Sequence, residues 1–376
     1  MSISITSDFE CGNIRVLSAQ ENSDIRLEIE SDTEADFFQW FYFKVDGPAG
    51  RRRMVIENAE QASYQRGWID YQARMSTDNR TWKQVPTRYE DGKLIIEEDQ
   101  AAGEAYYAYF APYTTTRAVA MLDDLAKADL VTRLPLGKSS DGTPIDALRF
   151  GPEAEVNKTI WLIARQHPGE SMGSWFAEGF CEALLDPERG CAQRLLQAAT
   201  VYVVPMMNPD GVARGHLRTN AVGTDLNRAW AEPSEEASPE VFAVLKAMDQ
   251  TGCDLFLDAH GDEVIANNFV AGTEGIPSWS PRLAELFSTF KNQLIETTPN
   301  FQDKEGYPVD PSGKANMRIA NNAVAERFDC LSMTLEMPFK DAATNPQPEE
   351  GWSPERSKAL ARATIEVMSR MVGRLR

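Results

Sequence analysis

The architecture can be worked out from TIWLIARQHPGE, residues 159–170. Residues 159–166 form a nearly continuous apolar run, the pattern of a strand buried on both faces. A histidine, a Pro-Gly turn and a glutamate then lead into a helical stretch over 171–185. The same alternation recurs along the chain. Further buried strands are expected at TVYVVPM (200–206), CDLFLDAH (253–260) and CLSMTLEM (330–337), and further helices over 238–250, 281–296 and 353–373. Strands alternating with helices predict an α/β domain whose mixed, mainly parallel twisted sheet is flanked by helices. In such sheets ligands collect beyond the carboxyl ends of the strands, and three of these four strands end at His167, His260 and Glu336.

Upstream of about residue 118 the pattern differs. Short aromatic and β-branched runs, FFQWFYFKV (37–45), RRMVIENA, GWIDYQARM, KLIIEE and AYYAYFAPY, are separated by turn signals such as Asp46-Gly47-Pro48 and Asp91-Gly92. They predict an N-terminal antiparallel β-sandwich over 1–118 and a catalytic domain over 119–376 that opens with a helix near Val119–Ala128. The aromatic density reads as sandwich core, and the RRR at 51–53 as a solvated edge.

The chain of 376 residues carries 38 basic and 57 acidic side chains, a formal charge of -19. That balance repels nucleic acid and anionic membrane surfaces. The N-terminus lacks a basic segment followed by an apolar one, and nowhere do eighteen apolar residues run together, so a cytoplasmic protein is expected. Five scattered cysteines without a CxxC pair suit reduced core thiols.

The chain has three histidines, His167, His216 and His260. His167 and Glu170, three residues apart in the turn from strand to helix, can take neighbouring corners of a tetrahedron. His260 adds a third corner from another strand and leaves one position open, the His₂Glu arrangement of a catalytic zinc site. His216, flanked by Gly215 and Arg218, reads as a polar loop residue and is the rival ligand.

HPGE (167–170), NPDG (208–211), RTNAVGTDLNR (218–228), DAHGD (258–262) and TLE (334–336) occur in an order that resembles the M14 metallocarboxypeptidases. The aromatic β-sandwich with FQWFYF, followed by YFAPYTTTR, looks like the cytosolic carboxypeptidase subfamily. The resemblance implies one Zn²⁺ per chain on His167, Glu170 and His260, with Glu336 as general base and Arg218 stabilising the oxyanion. It gives Asn227 and Arg228 the substrate's terminal carboxylate, and Asp225 the orientation of a metal-bound imidazole. Tyr307, in KEGYPVDPSGK, is the candidate for the family's pocket tyrosine. Lys314 and Arg318 are candidates for selecting acidic C-terminal residues, or else lie on the exposed face of a helix. The substrate is then the C-terminus of a peptide or protein. Two rival readings are a zinc amidohydrolase that deacylates N-acyl amino acids and a non-catalytic peptide-binding module of the same fold.

Overall fold

The computed structural model describes residues 3–151 and 158–376. Ten strands precede the first α-helix: Ser4–Thr6 (β1), Arg15–Ala19 (β2), Ile25–Glu28 (β3), Tyr42–Gly47 (β4), Gly50–Ile56 (β5), Ala73–Ser76 (β6), Lys83–Val85 (β7), Thr87–Glu90 (β8), Lys93–Gln100 (β9) and Gly103–Ala108 (β10). They form two five-stranded sheets, ordered β1-β4-β10-β6-β7 and β2-β3-β5-β9-β8. Pairing is antiparallel throughout, except between β3 and β5. The aromatic side chains are core: Phe43 stacks on Tyr107 at 5.5 Å, and Tyr109 lies 5.0 Å from Tyr71. The RRR segment is not an edge. Strand β5 is central in its sheet, and its alternation buries Arg52 against the Gly103 carbonyl while Arg51 faces out.

The rest of the chain is built from Thr115–Leu125 (α1), Val131–Lys138 (β11), Pro144–Phe150 (β12), Lys158–Ala164 (β13), Ser171–Leu185 (α2), Gly190–Ala198 (α3), Ala199–Val204 (β14) and Pro209–Arg214 (α4). There follow Pro239–Thr251 (α5), Leu255–Asp262 (β15), Phe269–Ala271 (β16), Pro281–Thr297 (α6), Ala320–Phe328 (α7), Leu331–Pro338 (β17) and Pro354–Met371 (α8). The sheet order is β11-β12-β14-β13-β15-β17-β16. Its four middle strands are parallel, and β12, β11 and β16 add antiparallel flanks.

Side-chain alternation explains why the strand sequences are apolar throughout. Along β13, Ile160, Leu162 and Ala164 join the core that contains α2 and α8, while Trp161 and Ile163 join a second core with α5 and α7. Helices α6 and α8 begin with the same device. Ser280 and Ser353 accept from the backbone N–H three residues on, and a proline follows each at the first helical position. No helix among the described residues is long and apolar enough to cross a membrane.

Two features fix the functional edge of the sheet. Strands β15 and β17 run in a register that pairs His260 with Glu336. Helix α2 lies against β15 so closely that a Cβ at Gly173 would meet the Ala259 carbonyl oxygen at 2.6 Å. A Gly→Ala change inside a helix ordinarily gains roughly 0.5–1 kcal/mol, but the backbone contact here makes overpacking, worth about 1–3 kcal/mol, the larger effect. Gly173→Ala should therefore lower the thermal midpoint in a calorimetric scan, and a raised midpoint would contradict this packing.

Candidate metal centre and active site

The chain leaves β13 through Arg165, whose φ of 66° lies in the left-handed region. That conformation is held from several sides: the buried guanidinium donates through Nε to the Pro168 carbonyl at 2.6 Å and through Nη1 to the Tyr113 carbonyl at 3.1 Å. The strained turn delivers His167 and Glu170 to the carboxyl edge of the sheet, where β15 brings His260. All three are buried. His167 Nδ1 lies 2.6 Å from Glu170 Oε1, His260 Nδ1 lies 2.8 Å from Glu170 Oε2, and the two Nδ1 atoms are 3.2 Å apart.

Each imidazole is held from behind by a carboxylate. His167 Nε2 is 3.1 Å from Asp225 Oδ1, and His260 Nε2 is 2.8 Å from Asp258 Oδ2. These contacts assign the ring proton to Nε2 in both histidines and turn the Nδ1 lone pairs inward. Two lone pairs and a carboxylate then face one another, a donor set that repels itself unless a cation lies among its members. A tetrahedral zinc ion with bonds of about 2.0–2.1 Å keeps nitrogen donors roughly 3.3 Å apart, close to the spacing of the two Nδ1 atoms. The residues fit the ion. Among the described residues this is the one cluster of three donors compact enough for a metal. Electrostatics agree: burial disfavours charge on His260, yet Asp258 and Glu170 outweigh it and raise the imidazole well above its ordinary range. Positive charge is wanted at this point.

Further groups hold the supporting carboxylates. Gln166 Nε2 donates to Asp258 Oδ2 at 2.6 Å and Trp230 Nε1 donates to Gln166 Oε1 at 2.7 Å, a relay of fixed orientation running from the second core to His260. Asp225 is shared: besides His167 it accepts from Arg218 Nε at 2.8 Å. Burial pushes the Asp225 carboxyl up, but His167 and Arg218 outweigh it and hold the group below the usual carboxylate range. Arg218 is likewise raised by Asp225 against the cost of burial, so the pair is ionised.

A cavity of about 650 Å³ opens on this cluster and is also lined by Arg218, Asn227, Arg228, Tyr307 and Glu336. Asn227 is fixed by accepting from Ala320 N at 2.9 Å, and Arg228 donates Nη1 to the Asn227 carbonyl at 2.7 Å. The Tyr307 hydroxyl lies 2.7 Å from Asp262 Oδ2 and 3.1 Å from Glu336 Oε1. A phenol has one proton, so bonding both carboxyls requires one of them to be protonated. Glu336 suits that role. Burial first, then Glu170 and Asp262, push its carboxyl up to about 8, with His260 and the Tyr307 bond opposing.

Lys314 and Arg318 do not join this cavity. Both are exposed, on the turn before α7 rather than on a helix face; neither lines the cavity, and Arg318 donates Nε to the Arg228 carbonyl at 2.9 Å beside a neighbouring pocket that it shares with Arg218 and Asp225. The lysines that do line it are Lys291, from α6, and Lys304. His216 is occupied elsewhere: Nδ1 lies 3.0 Å from the Thr219 carbonyl, and Nε2 accepts from Thr33 N at 3.0 Å. Sequence reasoning missed Asp258, Gln166, Asp262, Asp32 and Tyr64. Asp258 carried a signal, since residues two apart in a strand share a face.

Comparison with known proteins agrees with this geometry. Residues 118–357 match the zinc carboxypeptidase family, and residues 5–110 match the cytosolic carboxypeptidase N-terminal domain. A metallo-carboxypeptidase from Pseudomonas aeruginosa, solved in complex with (2-guanidinoethylmercapto)succinic acid, superposes with a TM-score of 0.97 at 43% identity, covering 99% of this chain and 100% of that one. One from Burkholderia cenocepacia gives 0.95 at 38% identity, covering 99% of each. Cytosolic carboxypeptidase 6 of Caenorhabditis elegans is 25% identical over 372 residues, 89% of this chain and 78% of that one. The chain belongs to the M14 zinc carboxypeptidases, in the group that carries the cytosolic carboxypeptidase N-terminal domain, and is a metallocarboxypeptidase.

Proposed function

We propose that the chain hydrolyses the C-terminal peptide bond of peptides or protein tails, with one zinc ion held by His167, Glu170 and His260. The observation that carries this reading is the convergence of their three donors, backed by Asp225 and Asp258, on a cavity shared with Glu336 and two arginines. Zinc bound there supplies a Lewis acid that polarises the scissile carbonyl and acidifies water. Glu336, on the cavity wall in register with His260, is the general base: as a carboxylate it takes a proton from the attacking water and returns it to the leaving amine. Arg218, ionised beside Asp225, faces the charge that develops on the carbonyl oxygen. Asn227 and Arg228 bind the free terminal carboxylate, and the guanidinium fork selects a chain end over a mid-chain bond. Tyr307 closes over Glu336. In this reading residues 1–118 form the β domain and 119–376 the catalytic one, and the cytosolic names of the relatives support a cytoplasmic location.

The preferred end residue is the narrower part of the proposal. With Lys314 and Arg318 outside the cavity, Lys291 and Lys304 are the wall lysines suited to an acidic side chain, and Lys291, on α6, is the one put to the test. A second reading, a basic end residue, is favoured by Glu274 and Asp310 on the same cavity and by the guanidino ligand named for the Pseudomonas relative.

Glu336→Gln should retain zinc, measured by atomic absorption, and lose about 10²–10⁴-fold in kcat on N-acetyl tripeptides with free C-termini; wild-type kcat would refute its role as base. Asp258→Asn should weaken zinc binding about 10–100-fold in chelator competition, and unchanged affinity would mean that the carboxylate behind His260 does nothing for the metal. A tripeptide library varied at the last residue decides specificity. Under the acidic reading glutamate-ended peptides lead and Lys291→Met slows them selectively, whereas leading lysine- or arginine-ended peptides, slowed by Glu274→Gln, establish the basic one.

A further inference from the structure

Arg218 stands on a loop whose neighbours come from the N-terminal sheets. Asp32, buried in the connection between β3 and β4, accepts from three consecutive backbone N–H groups: Leu217 at 2.6 Å, Arg218 at 2.8 Å and Thr219 at 2.8 Å. It also accepts from the Thr219 hydroxyl at 3.1 Å. One carboxylate taking four hydrogen bonds across three residues fixes the backbone at Arg218 much as a ligand fixes a nest. Thr33 N extends the clasp by donating to His216, and Asn13 Nδ2 donates to the Gly215 carbonyl at 2.9 Å. The Arg218 side chain is held separately. Its Nη1 donates to the Tyr64 hydroxyl, and the guanidinium carbon lies 5.4 Å from the Phe37 ring centroid and 5.8 Å from that of Tyr64. Tyr64 is itself pinned, since its N–H donates to Gln39 Oε1 at 2.8 Å and its carbonyl accepts from Gln39 Nε2 at 3.1 Å.

A guanidinium has five N–H donors in a rigid fork. Asp225 takes Nε–H and Tyr64 takes one Nη1–H, so the fork is aimed by two bonds at different corners, and the remaining donors are left for the cavity that Arg218 lines. Asp225 alone defines one bond, about which the rest of the group can swing. A donor serves a developing oxyanion only when held within hydrogen-bond reach of it in advance. We infer that Asp32 and Tyr64 are positioning residues for the hydrolysis, acting through Arg218, and that the N-terminal sheets thereby complete the catalytic site. The inference rests on the proposed role of Arg218.

A double-mutant cycle on the full-length zinc-loaded chain tests it, using the N-acetyl tripeptide cleaved fastest in the library. Tyr64→Phe removes the hydroxyl and keeps the ring. It should lower kcat and kcat/KM together by about tenfold, the size of one lost hydrogen bond to a charged group, with zinc content and thermal midpoint unchanged. In an Arg218→Ala background the same change should cost nothing further, because its effect passes through Arg218; a merely structural effect would persist there. Asp32→Asn should show the same non-additivity, and should it fail to fold, Tyr64→Phe still decides. Slow Arg218→Ala with Tyr64→Phe at wild-type kcat overturns this inference alone, as does an equal loss in both backgrounds. Arg218→Ala at wild-type kcat overturns the role of Arg218, and this inference with it.

Discussion

Three acceptors, the Nδ1 nitrogens of His167 and His260 and the carboxylate of Glu170, meet in a buried pocket at the carboxyl edge of four parallel strands, and they cohere only with positive charge among them. Much of the surrounding structure serves that demand. Asp225 and Asp258 take the outer ring nitrogens, so that neither imidazole can turn its proton inward. Arg165 accepts a left-handed backbone two residues before His167, and its guanidinium ties down the turn that the strain creates. Helix α2 presses on β15 at a glycine, which keeps Glu170 and His260 within one ligand sphere.

Charge pairing links this pocket to the substrate side. Asp225 touches both His167 and Arg218, so one carboxylate holds a proposed metal ligand and the residue proposed for the oxyanion. Asp262 and Tyr307 do the equivalent for Glu336, which leans on a phenol whose proton is already directed at another carboxylate. The result is a set of charges joined through shared partners. Shifting one member disturbs its neighbours, and single substitutions here are expected to be far from additive.

The parallel sheet was legible because its strands are covered on both faces. Trp161 and Ile163 are as buried as Ile160 and Leu162, and that symmetry appears in the sequence as an unbroken apolar run. Helix α2 falls at 171–185, as its pattern predicts. The strands that escaped, β11, β12 and β16, lie in the antiparallel flanks of the sheet; β11 carries Pro135 at a register shift and β16 has three residues. The three metal-binding candidates were legible from residue type and strand-end position. Asp32 and Tyr64 were not, because they reach Arg218 across 186 and 154 positions through tertiary packing that leaves no local periodicity. Lys314 and Arg318 were singled out by charge alone; the structure puts both on an exposed turn, outside the walls of the cavity that opens on the three donors.

An anomalous difference map collected at the zinc edge from crystals of the purified chain bears most directly on the three-donor centre. The account predicts a single peak bonded at about 2.0–2.1 Å to His167 Nδ1, His260 Nδ1 and a Glu170 oxygen. An active preparation with its zinc at any other set of residues, or with no zinc at all, would contradict it.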